Sequence, residues 1–110
     1  MIIATRNLFI RCDNGPLPVS VSIHAPENGG DDWACVYEIG WPEGVRRFSG
    51  HGSDSIQALY IALQMIGAEL YASDYHKRGE LFAEDLDGGY GFPIAKNCRD
   101  LLVGDDKAMF

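Results

Sequence analysis

The chain has 110 residues, 46% of them hydrophobic and 23% charged, with 16 acidic against 9 basic side chains and a formal net charge of −7. This size and composition fit one globular domain over residues 1–110 and exclude the disordered class. The acidic balance argues against nucleic acid, which needs Lys and Arg to displace counterions, and against an anionic membrane surface.

No apolar run reaches the roughly 18 residues that cross a bilayer. A partner steered by charge is therefore a basic protein. The segment Met1-Ile2-Ile3-Ala4-Thr5-Arg6 lacks the basic region, apolar stretch and cleavage site of a signal peptide. Cys12, Cys35 and Cys98 form an odd set without CxxC spacing. Both observations lead to the expectation of a cytoplasmic protein with reduced thiols.

Residues 2–12 alternate Leu8, Ile10 and Cys12, expected inward, with Asn7, Phe9 and Arg11, and Asp13-Asn14-Gly15-Pro16 supplies a turn. Leu17, Val19, Val21, Ile23 and Ala25 then alternate with Pro18, Ser20, Ser22 and His24. One face of this strand is buried and one is wet, as in an antiparallel sheet. Residues 26–32 read as a loop, and 33–39 as a third strand with Trp33, Cys35, Tyr37 and Ile39 on one face. After a turn at 40–44, residues 45–51 form a fourth strand whose adjacent Arg46 and Arg47 suit a sheet edge. Connections this short favour a meander.

Asp54, followed three residues later by Gln57, is a capping-box-like helix start, with Ser53 as a rival cap. Ile56, Leu59, Tyr60, Leu63, Ile66, Gly67 and Leu70 form the stripe expected on the sheet, in a helix ending near 72–75 and long enough to cross four strands. The opposite face carries Ala58, Ile61, Ala62, Met65 and Ala68, and Glu69 is the one charged residue between Asp54 and Asp74. A surface helix ordinarily places Lys and Glu there. Either the C-terminal third covers this face, or it is an association surface, with Ala58, Ile61, Ala62 and Met65 as the candidate interface.

Beyond the helix, residues 76–79 read as a turn, 80–83 as a short strand, 85–91 as an acidic, Gly-rich loop and 96–103 as a short helix, with Asp105-Asp106-Lys107 expected to fray. The fold expected is α+β: an antiparallel meander of about four strands packed on one long helix, with an irregular C-terminal segment.

No constellation assigns chemistry. Asp85-Leu86-Asp87-Gly88 lacks the Asp and Glu of an EF-hand loop, because Ala83 and Ile94 stand at those places. His24, His51 and His76 have no HxxxH or HxH spacing, so neither metal nor cofactor is expected. Cys35 falls on a core face and is expected inert, which leaves Cys98 as the thiol to test. His24 beside Ser20 and Ser22 resembles half a dyad, but alternate strand residues stand ~6.5 Å apart. Residues 50–53 precede the helix, where an anion could sit, but the Asp54 carboxylate repels one.

The pieces Ala4-Thr5-Arg6, Asp32-Trp33-Ala34-Cys35-Val36-Tyr37, Ser53-Asp54-Ser55-Ile56-Gln57-Ala58-Leu59, Ile66-Gly67-Ala68-Glu69-Leu70 and Gly91-Phe92-Pro93 occur in this order. Together they resemble a family of small uncharacterised bacterial proteins over residues 2–93. Members often carry a Trp near the strand after the helix, where this chain has Gly79-Glu80-Leu81-Phe82-Ala83. The resemblance implies a bacterial, cytoplasmic, single-domain protein and carries over no activity, ligand or site residue.

Two functional classes follow. The first is a non-enzymatic protein-interaction module, of immunity or regulatory type, that self-associates or binds one protein partner through the helix face and acidic loops. The second is a small-molecule-binding protein or minor enzyme with a site near His24 and Trp33/Trp41.

Overall fold

The structure, a computed structural model, describes residues 1–84, 88–95 and 101–110. β1 (Ile2–Ile10) and β2 (Leu17–His24) form an antiparallel hairpin with Leu8 opposite Val19, and with a register shift between Ile2 and Ala4. A two-residue strand, β3 (Glu27–Asn28), pairs with the first residues of β4 (Trp33–Trp41), while β2 pairs with β4 through Val21↔Ile39 and Ile23↔Tyr37. β5 (Gly44–Gly52) runs back along the whole of β4, from Trp41↔Gly44 to Trp33↔Gly52.

The antiparallel sheet has six strands among the described residues, and the fold is α+β. Four long strands occur in the expected order. The added pairing at β3 lies in the segment read as a loop, where Gly30, at φ +99°, lets the chain reverse tightly enough for the Gly29 amide to donate to the Asp32 carbonyl at 2.8 Å.

Alternation gives the sheet one apolar face. Leu8, Ile10, Val19, Val21, Ile23, Cys35, Tyr37 and Ile39 are buried there. Across from Cys35 and Trp33, however, β5 presents Gly50 and Gly52. On these two glycines rests α1 (Ser55–Ala72), an 18-residue helix. Its N-cap Asp54 accepts from the Gln57 amide at 2.7 Å, while the Gln57 side chain accepts from the Ser53 amide at 2.6 Å. This is the expected reciprocal cap, shifted by one residue on the return bond.

The orientation of α1 corrects the expected one in part: Ile66, Gly67 and Leu70 are buried as expected, but Ile56 and Tyr60 are not. Ala58, Ala62, Ile66 and Leu70 are fully buried against the sheet, whereas Ile56 is 77% and Tyr60 53% exposed. A strand without side chains at Gly50 and Gly52 admits the helix backbone itself, and only alanine fits between. Ala58 and Ala62 therefore turn inward beside Ile66 and Leu70 of the expected stripe, and Ile56 and Tyr60 are displaced to one flank. For the same reason α1 lies over β4 and β5 rather than across all four long strands.

The β1–β2 half of the apolar face is covered by the segment after the helices. α2 (Asp74–Lys77) turns the chain, and β6 (Leu81–Phe82) pairs with Phe9 and Ile10 at the sheet's far edge. Tyr90, Phe92, Ile94 and Leu102 are buried. Phe92 lies under the Arg6 guanidinium, which also donates to the Tyr90 and Gly91 carbonyls at 3.1 and 2.7 Å.

The tail is pinned rather than frayed. α3 (Asp105–Met109) carries a fully buried Asp106 whose carboxylate accepts from the Tyr71 hydroxyl at 2.6 Å and from the Tyr90 and Gly91 amides at 2.8 Å each. Three donors on one carboxylate replace the hydration it gives up. Cys12 is exposed, not inward, because β1 ends at Ile10. Of the helix expected over 96–103 and the acidic loop over 85–91, residues 96–100 (with Cys98) and 85–87 lie outside the described residues.

Candidate binding surfaces

Because α1 covers β4 and β5, a cleft of about 340 Å³ is left between the helix and the β1–β2 half of the sheet. Val21 and Ile23 line its floor, Tyr60 and Leu63 come from the helix, and Phe92 and Phe110 from the C-terminal segment. Arg6 is its cationic group, and among the described residues it makes no ion pair. Volume and lining are those of a site for an apolar group with one polar handle. The same end of the molecule exposes Ile2 (50%), Ile3 (49%), Ile56 and Tyr60. It also carries the acidic side chains of Glu27, Asp31 and Asp54, all exposed.

The interface expected from sequence divides in two. Ala58 and Ala62 are buried within the chain against β5 and present nothing to a partner. Ile61 and Met65 stay partly accessible and line a separate shallow apolar hollow with Ala68, Tyr71 and Ile94. Ala68 on this flank is exposed.

The residues named for a small-molecule site do not converge. His24 is on the polar face, paired with Glu38 at 3.0 Å. Trp33 and Trp41 occupy opposite ends of β4, about 26 Å apart at the rise of an extended strand. Trp41 stacks on Tyr75 with ring centroids 5.4 Å apart, and the Arg78 guanidinium lies 5.1 Å from the Tyr75 ring. The Tyr75 hydroxyl donates to Glu43 at 2.7 Å, which holds that carboxyl below its usual range. These groups border a second, polar cleft of about 490 Å³.

The face of the sheet turned away from α1 carries two hydrogen-bonded chains. His24, Glu38 and Arg47 form a row across β2, β4 and β5, with Arg47 at 3.2 Å from Glu38. In the second, Ser49 Oγ lies 3.0 Å from His51 Nε2 and His51 Nδ1 lies 3.0 Å from Asp32 Oδ2. The connectivity is that of a nucleophilic triad. Sequence reading missed it because Asp32 is 19 residues from His51 and arrives only through the β3–β4 turn. The His51 and Asp32 side chains are about half exposed, at 53% and 48%, and in water such pairs gain little over solvent.

Below the helix, the buried Tyr37 hydroxyl donates to Glu69, which also accepts from Arg46 at 3.0 Å. Burial, and then the Glu69 carboxylate, raise the Tyr37 hydroxyl well above its ordinary value. This strap fixes α1 to β4 and β5. Among the described residues no three His, Cys, Asp or Glu side chains gather as metal ligands, and no helix is long and apolar enough to cross a membrane.

A family model described as domain of unknown function DUF6968 matches residues 4–94. The chain belongs to the DUF6968 family. The match agrees with the resemblance read over residues 2–93 and attaches no activity to it. Comparisons with curated proteins and with solved structures found no match. In this DUF6968 chain the matched span takes in the sheet, α1 and the Phe92 wall of the cleft, while α3 and its Asp106 pin lie beyond it.

Proposed function

We propose that the chain is a non-enzymatic, cytoplasmic protein-interaction module that receives an apolar anchor of a basic partner in the cleft between α1 and the β1–β2 hairpin. The observation that carries this reading is the continuity of the cleft with exposed apolar side chains: Tyr60 both lines it and is half exposed, with Ile56 one turn before it. A net charge of −7, with Glu27, Asp31 and Asp54 at the same end, speeds encounter with a positive surface. An immunity-type or regulatory role belongs to this class.

Selection of peptide ligands from a random display library on the intact chain tests it. The expected ligands combine a large apolar residue with flanking Lys or Arg, and bind at least tenfold more weakly to Tyr60→Asp and Leu63→Asp variants. Tyr60 is exposed enough for its variant to fold. Failure to enrich any peptide, or equal binding to both variants, overturns the reading.

The second reading, a small-molecule binder, is favoured by one feature of the same cleft, the Arg6 guanidinium in an otherwise apolar wall. Its ligand class is an apolar carboxylate, and a thermal-shift series of such acids against an Arg6→Ala variant separates it from the first.

A further inference from the structure

Among the described residues β5 is bonded along one side only. It pairs with β4 over all nine residues without a register shift, and among the described residues no strand lies on its other side. The two-residue connection Pro42-Glu43 makes Trp41 and Gly44 a hydrogen-bonded pair, and the pairs alternate from there. Val45, Arg47, Ser49 and His51 therefore direct their amide and carbonyl groups outward. Such an edge ordinarily carries a proline, a bulge or free charges that discourage pairing. Here there is neither proline nor bulge, and both arginines are matched inside the chain, Arg46 by Glu69 at 3.0 Å and Arg47 by Glu38 at 3.2 Å.

We propose that this edge pairs antiparallel with β5 of a second copy about a two-fold axis at Phe48, joining the two sheets into one. A two-fold at Phe48 is the centre that engages all nine residues. It sets Arg47 opposite Ser49 of the second copy, Arg46 opposite Gly50, Val45 opposite His51 and Gly44 opposite Gly52, so each arginine meets a small, uncharged residue. A two-fold at Arg46 or Arg47 sets like charges against each other, which is destabilising. In the Phe48 register the outward-facing residues supply the hydrogen-bonded pairs and Phe48 meets Phe48 in a non-bonded pair, which matches the bonding pattern left free by β4.

The layer above agrees. Ala58 and Ala62 sit over Gly52 and Gly50, and Tyr60 and Leu63 turn toward the cleft. Helical geometry places Ile61, Met65 and Ala68 on the other flank, above the free edge. Two such uncharged flanks come alongside each other when the strands pair, and Phe48 (49% exposed) and Val45 (67%) lose their exposure. An edge roughly 30 Å long and about 20 Å deep through sheet and helix buries on the order of 600 Å² per copy, about 1,200 Å² in all, the lower end of what a specific dimer needs. The surface is independent of the cleft.

Sedimentation equilibrium and light scattering from micromolar to millimolar concentration test the pairing. The wild-type chain is expected to dimerise reversibly. Phe48→Glu, which opposes two carboxylates at the axis, and Ser49→Pro, which removes an outward amide not used by β4, each weaken the dimer at least tenfold with unchanged circular dichroism. Phe48→Cys, in a chain with Cys12 and Cys98 replaced by Ser, forms a covalent dimer under mild oxidation, and Arg46→Cys does not. Tyr60→Asp, on the cleft, leaves the dimer intact. A monomer at every concentration overturns the proposal. So does a dimer indifferent to both edge variants, which places the contact elsewhere, or an edge that accepts only an extended segment of another protein.

Discussion

Gly50 lies directly beneath Ala62: a β-carbon on Gly50 would stand 2.5 Å from the Ala62 amide nitrogen and 3.0 Å from the Ala58 carbonyl oxygen. Both neighbours are backbone of α1, so neither can swing aside. Gly50→Ala is expected to lift the helix off β5 and destabilise the fold by about 2–3 kcal/mol, the upper part of the range for overpacking a filled core. Urea denaturation measures it. A loss below about 0.5 kcal/mol means that the helix is not seated on the strand as described.

The same pair explains what could and could not be read from the sequence. The alternation of Val19, Val21 and Ile23 against Ser20 and Ser22 reports burial directly, and β2 lies where it predicts. Cys35, Tyr37 and Ile39 behave alike, and Asp54 with Gln57 marks the start of α1. The facing of α1 was not legible from its own residues. A helix with large side chains on one side and alanines on the other is ordinarily buried on the large side; Ile66 and Leu70 of that side are buried here, but the rotation that brings Ala58 and Ala62 in beside them depends on two glycines in a different element, paired to it only in three dimensions. The sequence signal was available in the Gly-x-Gly at 50 and 52 beside the Ala-x-x-x-Ala at 58 and 62. It requires reading a strand and a helix together.

The candidate site is a consequence of that facing, which is why it was less legible still. Once α1 settles over β4 and β5, Tyr60 and Leu63 overhang the β1–β2 hairpin and Phe92 closes the cleft. His24, Trp33 and Trp41 suit a binding site by chemical type alone. The sheet separates them onto two faces and two ends.

The two described cysteines should differ sharply in reactivity. Cys12 is exposed after β1, whereas Cys35 is fully buried, its thiol raised by burial and donating to the His24 carbonyl at 3.4 Å. A disulfide reagent reacts through the thiolate, so both access and protonation protect Cys35. In a Cys98→Ser chain, Cys12 is expected to label at once and Cys35 at least ~100-fold more slowly, at a rate set by opening of the structure. Equal labelling would mean that β4 is not covered by α1.

His76 supplies a pH dependence. Its ring stands edge-on to Tyr71 and Tyr90, with centroids 4.8 and 5.5 Å away, and Nδ1 is bonded to the Tyr90 hydroxyl. Burial lowers its pKa below the ordinary 6.5. A lowered value means that the unfolded chain takes the proton more readily. The stabilising contribution is thus complete above about pH 6.5 and is lost as pH falls toward the depressed folded value. The melting temperature is expected to decline between pH 7 and 5 in the wild type and to decline less steeply in His76→Gln. Parallel curves for the two chains would exclude His76 as the source.

Asp106 joins three parts of the fold that are far apart in sequence: Tyr71 of α1, the Tyr90–Gly91 turn and α3 itself. All three partners are donors, and the carboxylate is fully buried. Asp106→Asn keeps the shape but replaces one acceptor oxygen by an amide group, which then faces a donor at close range. The loss combines a charge-assisted bond, about 1.5–3 kcal/mol, with a backbone amide or hydroxyl left unsatisfied, so a total of about 3 kcal/mol is expected. The Tyr90 hydroxyl, held up at about 12 by burial and then by the Asp106 charge, should titrate lower in the variant. Because Asp106 also positions α3, whose neighbour Phe110 lines the cleft, the variant should weaken a cleft ligand more than it affects pairing along β5. Urea denaturation and a spectrophotometric tyrosine titration check the first two effects, and an unchanged stability would show that the C-terminal segment is not anchored through this carboxylate.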